Sequence, residues 1–400
     1  MPTQRERGAT SNPFRIGGLV SGAHFTDRAD ECRRITRALT TPQAHLLVFG
    51  PRRMGKTSAL EVVRDRLAAR GRFVVLADLS TASTLADVTN RVLRSTARAL
   101  GTAWHDALGG FLQRLTVKVS VAPDPGSGLL VPSVDVGVRD ADLETQRASF
   151  GDALDALEGL AATRRIHVGV VLDEFQEIHR FGGEQAEAHL RAIIQRHRHV
   201  TYVLSGSDAR LIRAMTGARR PLYKLLEPLE FGPIDPGHLS TWIESRMKTA
   251  GVAAAGVGDT IVALAGPRTR DVVQLARATF EAGAAAGRAT ESTVEEGFRQ
   301  IVLAEDAPVR AFWESLSPLQ QNVLRALAVR AGGLTTRETR RAHALGETGA
   351  ATKAALTLVS RDVLVKTGAQ YRFDSPFLRG WVIANALADA GLSLPITHVP

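Results

Sequence analysis

The chain has 400 residues, 44% hydrophobic and 23% charged, with a single cysteine. These values exclude a small disulfide scaffold and wholesale disorder, and the length exceeds what one core organises, so two or three domains are expected. The net charge of +9 favours an acidic partner, of which nucleic acid is the commonest. Cys32 permits no intramolecular disulfide, Met1–Asn12 is polar, and no run of about 18 apolar residues is free of charge. A cytoplasmic protein with no membrane partner is expected.

In chain order, Asn12–Leu39 leads into an apolar strand, His45–Phe49, that ends in Gly50-Pro51-Arg52-Arg53-Met54-Gly55-Lys56-Thr57. A helix follows over Ser58–Ala69, where Leu60, Val63 and Leu67 recur at helical spacing and Gly71 supplies a stop. A second strand spans Phe73–Ala77. Between Leu115 and Asp140, Val117–Val121 and Val134–Val138 alternate about the breaker Pro123–Gly128, the pattern of a hairpin. Val168–Leu172 is continuously apolar, as in a strand buried on both faces of a parallel sheet, and Thr201–Leu204 follows as another. Past Phe231-Gly232-Pro233, helical periodicity takes over with Leu239, Trp242, Ile243 and Met247. A last unit, about Ala311–Ala386, carries its own core set.

Gly50-x4-Gly55-Lys56-Thr57 lies between a strand and a helix, the context of a phosphate-binding loop. Its glycines let backbone N–H groups face phosphate oxygens, and the helix N-terminus adds its positive end. ATP is the expected ligand, held by Gly50, Pro51, Arg52, Arg53, Met54, Gly55, Lys56, Thr57 and Ser58. Lys56 bridges the β- and γ-phosphates and Thr57 ligates Mg²⁺. Mg²⁺ takes oxygen ligands, so a carboxylate is required at a neighbouring strand end. Asp173 closes Val168–Leu172 and fits that need, and Glu174 beside it is the candidate base for the attacking water. Ser205 or Ser207, after Thr201–Leu204, can meet the γ-phosphate, or Ser205-Gly206-Ser207 is an ordinary turn. Arg213, Arg219, Arg220, Arg268 and Arg270 are basic residues able to reach the phosphates or to remain on the surface.

With Gly50–Ser58, Leu172-Asp173-Glu174-Phe175-Gln176 and Ser205-Gly206-Ser207 in this order, the chain resembles the archaeal-type ATPases of the AAA+/STAND region of P-loop NTPases. Asn12-Pro13-Phe14 and Phe25-Thr26-Asp27-Arg28-Ala29-Asp30-Glu31 resemble segments that in this family precede the core and help hold the adenine, which implies roles for Phe25 and Arg28. The resemblance implies an α/β fold: a P-loop NTPase αβα core with a parallel sheet (1–232, with a hairpin insertion about 112–142), a helical lid (233–308), a winged helix-turn-helix (309–386) and a tail (387–400). The family's Pro-Leu-Tyr-Gly-Arg is here Pro221-Leu222-Tyr223-Lys224-Leu225, without the arginine that would serve as an intersubunit finger.

In the last unit, Pro318 starts a helix with Leu319, Val323, Leu324 and Leu327 on one face, and Thr335-Thr336-Arg337-Glu338 is a capping box for a second. A third begins near Thr348 and is expected to bury Ala355, Leu356 and Val359. Strands Val363–Lys366 and Tyr371–Phe373 complete a winged helix-turn-helix. Ser315–Asn385 holds ten basic against four acidic residues, an excess suited to phosphate contact. Arg337, Arg340, Arg341, Lys353, Arg361, Lys366 and Arg372 are the candidate contacts to double-stranded DNA. The alanine-rich Gly349–Ala355 offers few groups for base edges, so docking to a protein partner stands beside DNA.

Gln195–His199 lacks metal-ligand spacing and reads as a solvated helix end, and Trp242, Trp313 and Trp381 read as core. The expected activity is ATP hydrolysis by a molecular switch, which an ATP-dependent oligomer would serve. The alternatives are a STAND-type signalling scaffold with little turnover and a nucleotide-regulated DNA-binding regulator.

Overall fold

The computed structural model describes residues 11–17, 22–100, 119–123, 130–134, 141–329 and 334–387. The chain forms two compact units, one of Asp27–Gly232 with Leu19–Ser21, the other of Pro233–Pro400 with Met1–Gly18 and Gly22–Thr26.

The first unit is built on five parallel strands: β1 (Leu46–Phe49), β2 (Phe73–Asp78), β5 (Val168–Asp173), β6 (Val200–Gly206) and β7 (Glu227–Glu230), in the order β2-β5-β6-β1-β7. Their apolar runs are those of strands covered on both faces. Helix α1 (Ala29–Thr40) and helix α2 (Lys56–Ala68) cover one face, where Leu39 lies against Gly169. The other face carries α3 (Leu85–Leu100), α4 (Leu143–Arg164) and α5 (Gln176–Arg196), whose Val88, Val92, Leu154, Leu157, Leu190 and Ile193 close a core over Val75, Val170, Leu172 and Leu204. The result is the three-layer αβα arrangement that the motifs imply. Helix α4 starts at Asp142, whose side chain accepts from the Thr145 amide at 2.8 Å, and helix α6 (Ala209–Thr216) follows β6.

The inserted hairpin pairs β3 (Val119–Pro123) with β4 (Leu130–Val134), antiparallel, with Val119 opposite Val134. The second strand therefore precedes the expected Val134–Val138 and shares only Val134 with it. Residues 135–140 and the tip at 124–129 lie outside the described residues.

The second unit is helical. Helices α7 (Pro236–Thr249), α8 (Val257–Ala265), α9 (Thr269–Ala284), α10 (Glu291–Ala304) and α11 (Asp306–Glu314) precede α12 (Pro318–Val329), α13 (Arg337–Ala342) and α14 (Thr348–Ser360), then the hairpin β8 (Leu364–Thr367) and β9 (Gln370–Phe373), then α15 (Pro376–Trp381). One apolar cluster runs through it from Phe14 and Met247 to Phe298, Leu358, Phe377 and Ile383, so the residues after Pro308 share their core with the helices before it. Asn12-Pro13-Phe14 belongs here: Phe14 is buried edge-on against Trp242 and Arg246 donates to the Pro13 carbonyl at 2.7 Å. The C-terminal helices and hairpin fit a winged helix. The cap of its second helix is Thr336, which accepts from the Thr339 amide at 3.2 Å, one residue later than the box at Thr335 and Glu338 requires. Among the described residues no helix is long and apolar enough to cross a membrane.

Candidate nucleotide site and nucleic-acid face

The phosphate loop is shaped by two glycines. A Cβ on Gly50 would lie 2.3 Å from the Phe231 carbonyl oxygen, and Gly55 has φ +88°, which favours glycine, at the residue that caps α2. Lys56 opens the helix with its side chain buried, donating from Nζ to the Gly50 and Pro51 carbonyls at 2.7 and 2.8 Å. Its ammonium thus lies across the loop whose amides a phosphate would meet. Pro51, Arg52 and Arg53 are exposed, Met54 is buried and Ser58 is half-buried on α2.

Because β6 lies between β1 and β5, Ser205-Gly206-Ser207 falls between the loop and the Asp173–Glu174 pair. Thr57 Oγ1 donates to Asp173 Oδ2 at 2.7 Å, and the Glu174 amide donates to Asp173 Oδ1 at 3.1 Å. Burial pushes the Asp173 carboxyl up, against hydrogen bonding from Ser205 and Thr57, and the Glu174 and Asp78 charges push the same way as burial. Glu174, half-buried at φ +55°, accepts on Oε2 from Gln176 Nε2 at 2.5 Å, from Ser207 Oγ at 2.7 Å and from the Ser207 amide at 3.2 Å. Arg52 Nε donates to Ser207 Oγ at 3.3 Å. Gln176 and Arg52 are the members of this network whose roles the sequence does not reveal; their motifs fix only their place in the chain.

Thr57 and Asp173 form a hard oxygen pair, and Asp173 enters no ion pair with a described residue although it is buried. A buried carboxylate without a cation is costly, so this pair fits Mg²⁺, which binds through one or two protein oxygens and completes its shell with water and phosphate.

Other predicted residues fall elsewhere. Arg28 is buried at φ +68°, with Nη1 on Glu31 at 2.7 Å and Nη2 on the carbonyls of Met54 and Gly232 at 3.1 and 2.6 Å, its guanidinium 4.9 Å from the Phe231 ring centre. It braces the phosphate loop against the end of β7. Phe25 and Arg270 belong to the second unit, half-buried and exposed respectively, and Arg268 there is buried in an ion pair with Asp374. Arg220 is held by Glu184 and the fully buried Glu187 at 3.0 and 2.7 Å, which engages both terminal nitrogens away from any phosphate. Arg219 is exposed, and the Arg213 side chain lies outside the described residues.

On the winged helix, Arg337, Arg341, Lys353, Arg361, Lys366 and Arg372 are exposed, whereas Arg340 is half-buried and donates to the Gly346 carbonyl at 3.1 Å, closing the turn before α14. Arg361 stacks on Phe312. Leu356 is not buried as its spacing suggests: it is 44% exposed, and Val365 in the wing is 40% exposed, opposite Arg372. Burial falls on Ala351, Ala354, Ala355 and Leu358.

Gln195–His199 is also not a solvated helix end. His197 is buried, with Nε2 and Nδ1 each 2.8 Å from Asp155 and the Tyr202 hydroxyl, and Glu158 accepts from the amides of Arg198, His199 and Val200.

The AAA domain family matches residues 37–215. Among solved structures, the chain is similar to the Walker-type ATPase of Pyrococcus abyssi, with 16% identity and a TM-score of 0.58 over 92% of this chain and 98% of the other. It is also similar to the ORC2 protein of Aeropyrum pernix in its ADPNP–ADP complexes, with 14% identity and a TM-score of 0.53 over 92% and 96%. No curated protein matches the sequence. The loop and strand order described above, the family match and the shared fold agree: this chain carries an AAA domain of the archaeal-type AAA+ P-loop ATPase family.

Proposed function

We propose that this protein binds Mg·ATP at the 50–58 loop, hydrolyses it, and acts as a nucleotide-dependent switch that engages double-stranded DNA through its winged helix. The observation that carries the reading is the convergence on adjacent strands β1, β6 and β5 of a phosphate loop, the Thr57–Asp173 pair and the Glu174 carboxylate. Lys56 counters the β- and γ-phosphate charge, Thr57 and Asp173 hold Mg²⁺, and Glu174 accepts the proton of the attacking water. Bound Mg²⁺ supplies charge neutralisation at the phosphates. Nucleotide on the Aeropyrum relative supports the ligand class. The division we propose is core 1–232, lid 233–308, winged helix 309–386 and tail 387–400.

The test is ATP hydrolysis by the purified chain, with and without duplex DNA at low salt. Glu174→Gln should bind ATP yet lose at least a hundredfold in rate, and Lys56→Ala should lose binding. Full turnover by Glu174→Gln removes the assigned base. A second reading, a scaffold with a protein-docking winged helix, is favoured by the exposed Leu356 and Val365. Tight ATP binding with near-zero turnover, with or without DNA, would support it.

A further inference from the structure

Ser207 has one hydroxyl proton, and that proton goes to Glu174 Oε2 at 2.7 Å. The oxygen that donates it accepts from Arg52 Nε at 3.3 Å, inside the phosphate loop itself. Oε2 also receives Gln176 Nε2 and the Ser207 amide, whereas Oε1 accepts from no described residue. A hydroxyl that donates to Glu174 cannot donate at the same time to a γ-phosphate oxygen, so the two contacts exclude each other. Arg52 gives the exchange a direction: a phosphate anion in the loop is a charge-assisted acceptor, about twice as strong as the neutral Ser207 oxygen.

We propose that Arg52 and Ser207 are positioning residues that pin Glu174 until a third phosphate arrives. The γ-phosphate draws the Arg52 guanidinium away, the Ser207 hydroxyl turns to the phosphate, and Glu174 loses one of its three donors and becomes available to water. ADP, lacking that phosphate, leaves the pin in place. The inference rests on the reading of the loop as an ATP site.

The test is a double-mutant cycle of Glu174→Ala and Ser207→Ala, read as dissociation constants for ADPNP and for ADP with Mg²⁺ by calorimetry. In the wild type, ADPNP binding breaks the Glu174–Ser207 bond, and removal of either partner removes that requirement. The general effect of the Glu174 charge appears in both backgrounds and cancels. We expect coupling of about three- to tenfold for ADPNP and less than twofold for ADP. Ser207→Thr, which keeps the hydroxyl, should restore the ADPNP coupling, and Arg52→Gln should reduce it below twofold. Unaltered ADP affinity certifies the fold of each variant; should Ser207→Ala lose it, Ser207→Cys takes its place. Additivity for ADPNP, or equal coupling for both nucleotides, overturns the proposal while leaving the ATP site standing. Full coupling in Arg52→Gln removes Arg52 from it. Failure of the wild type to bind either nucleotide overturns the site and the inference together.

Discussion

His45 stands at the start of β1 with Nδ1 accepting from the Tyr202 amide at 3.2 Å, an acceptor role that only the neutral ring fills. Burial, with the nearby His197, depresses its pKa to about 4, and burial also lowers that of His197 against the Asp155 hydrogen bond. An unfolded histidine takes up its proton near pH 6.5, before the folded one does, so these residues leave stability intact above that value and erode it as pH falls toward 4. The urea midpoint should therefore drop between pH 7 and pH 4.5, and drop less steeply in His45→Gln, partial exposure keeping the difference below one proton's worth of slope. At this scale the sequence reveals groups whose neighbours in the chain dictate their shape: Gly50–Thr57, and Asp173 at a strand end. It conceals contacts between residues far apart, such as Glu174 with Ser207 at a separation of 33 and Arg28 with Gly232 at 204, because no local pattern encodes them.

Strand β7 shows the same limit among elements. Glu227–Glu230 has one buried side chain, Leu229, and a proline that only an edge position tolerates, so it has neither the apolar run nor the alternation that announces β5 and β6. Yet this strand delivers Phe231, whose amide donates to the Phe49 carbonyl at 2.7 Å and whose carbonyl sets the distance available at Gly50. Gly50→Ala forces that approach apart. It should cost about 1–3 kcal/mol in urea denaturation and weaken ADP binding, because the same displacement moves the first residue of the phosphate loop. The winged helix divides similarly: Ala355 is buried as its spacing indicates, but α14 turns Leu356 outward because small alanines fill the inward face.

For the whole molecule, the balance of charge makes the DNA reading measurable. If exposed Arg337, Arg341 and Arg372 meet phosphates, replacing each by glutamine should weaken duplex binding evenly across sequences and lower the salt slope by about 1 per residue, as read by anisotropy. A docking surface for protein would show no such slope. The strap at Asn12–Phe14 has a consequence of another kind, one of timing. Asn12 donates to the Arg277 carbonyl at 3.1 Å across 265 residues, so the second unit is assembled from the two ends of a chain whose middle forms the first. At about 5–20 residues per second, a nascent Asn12 waits roughly 13–50 s for its partner to be made, an interval in which Asp27–Gly232 emerges complete. The earliest residues synthesised are thus among the last to find their place.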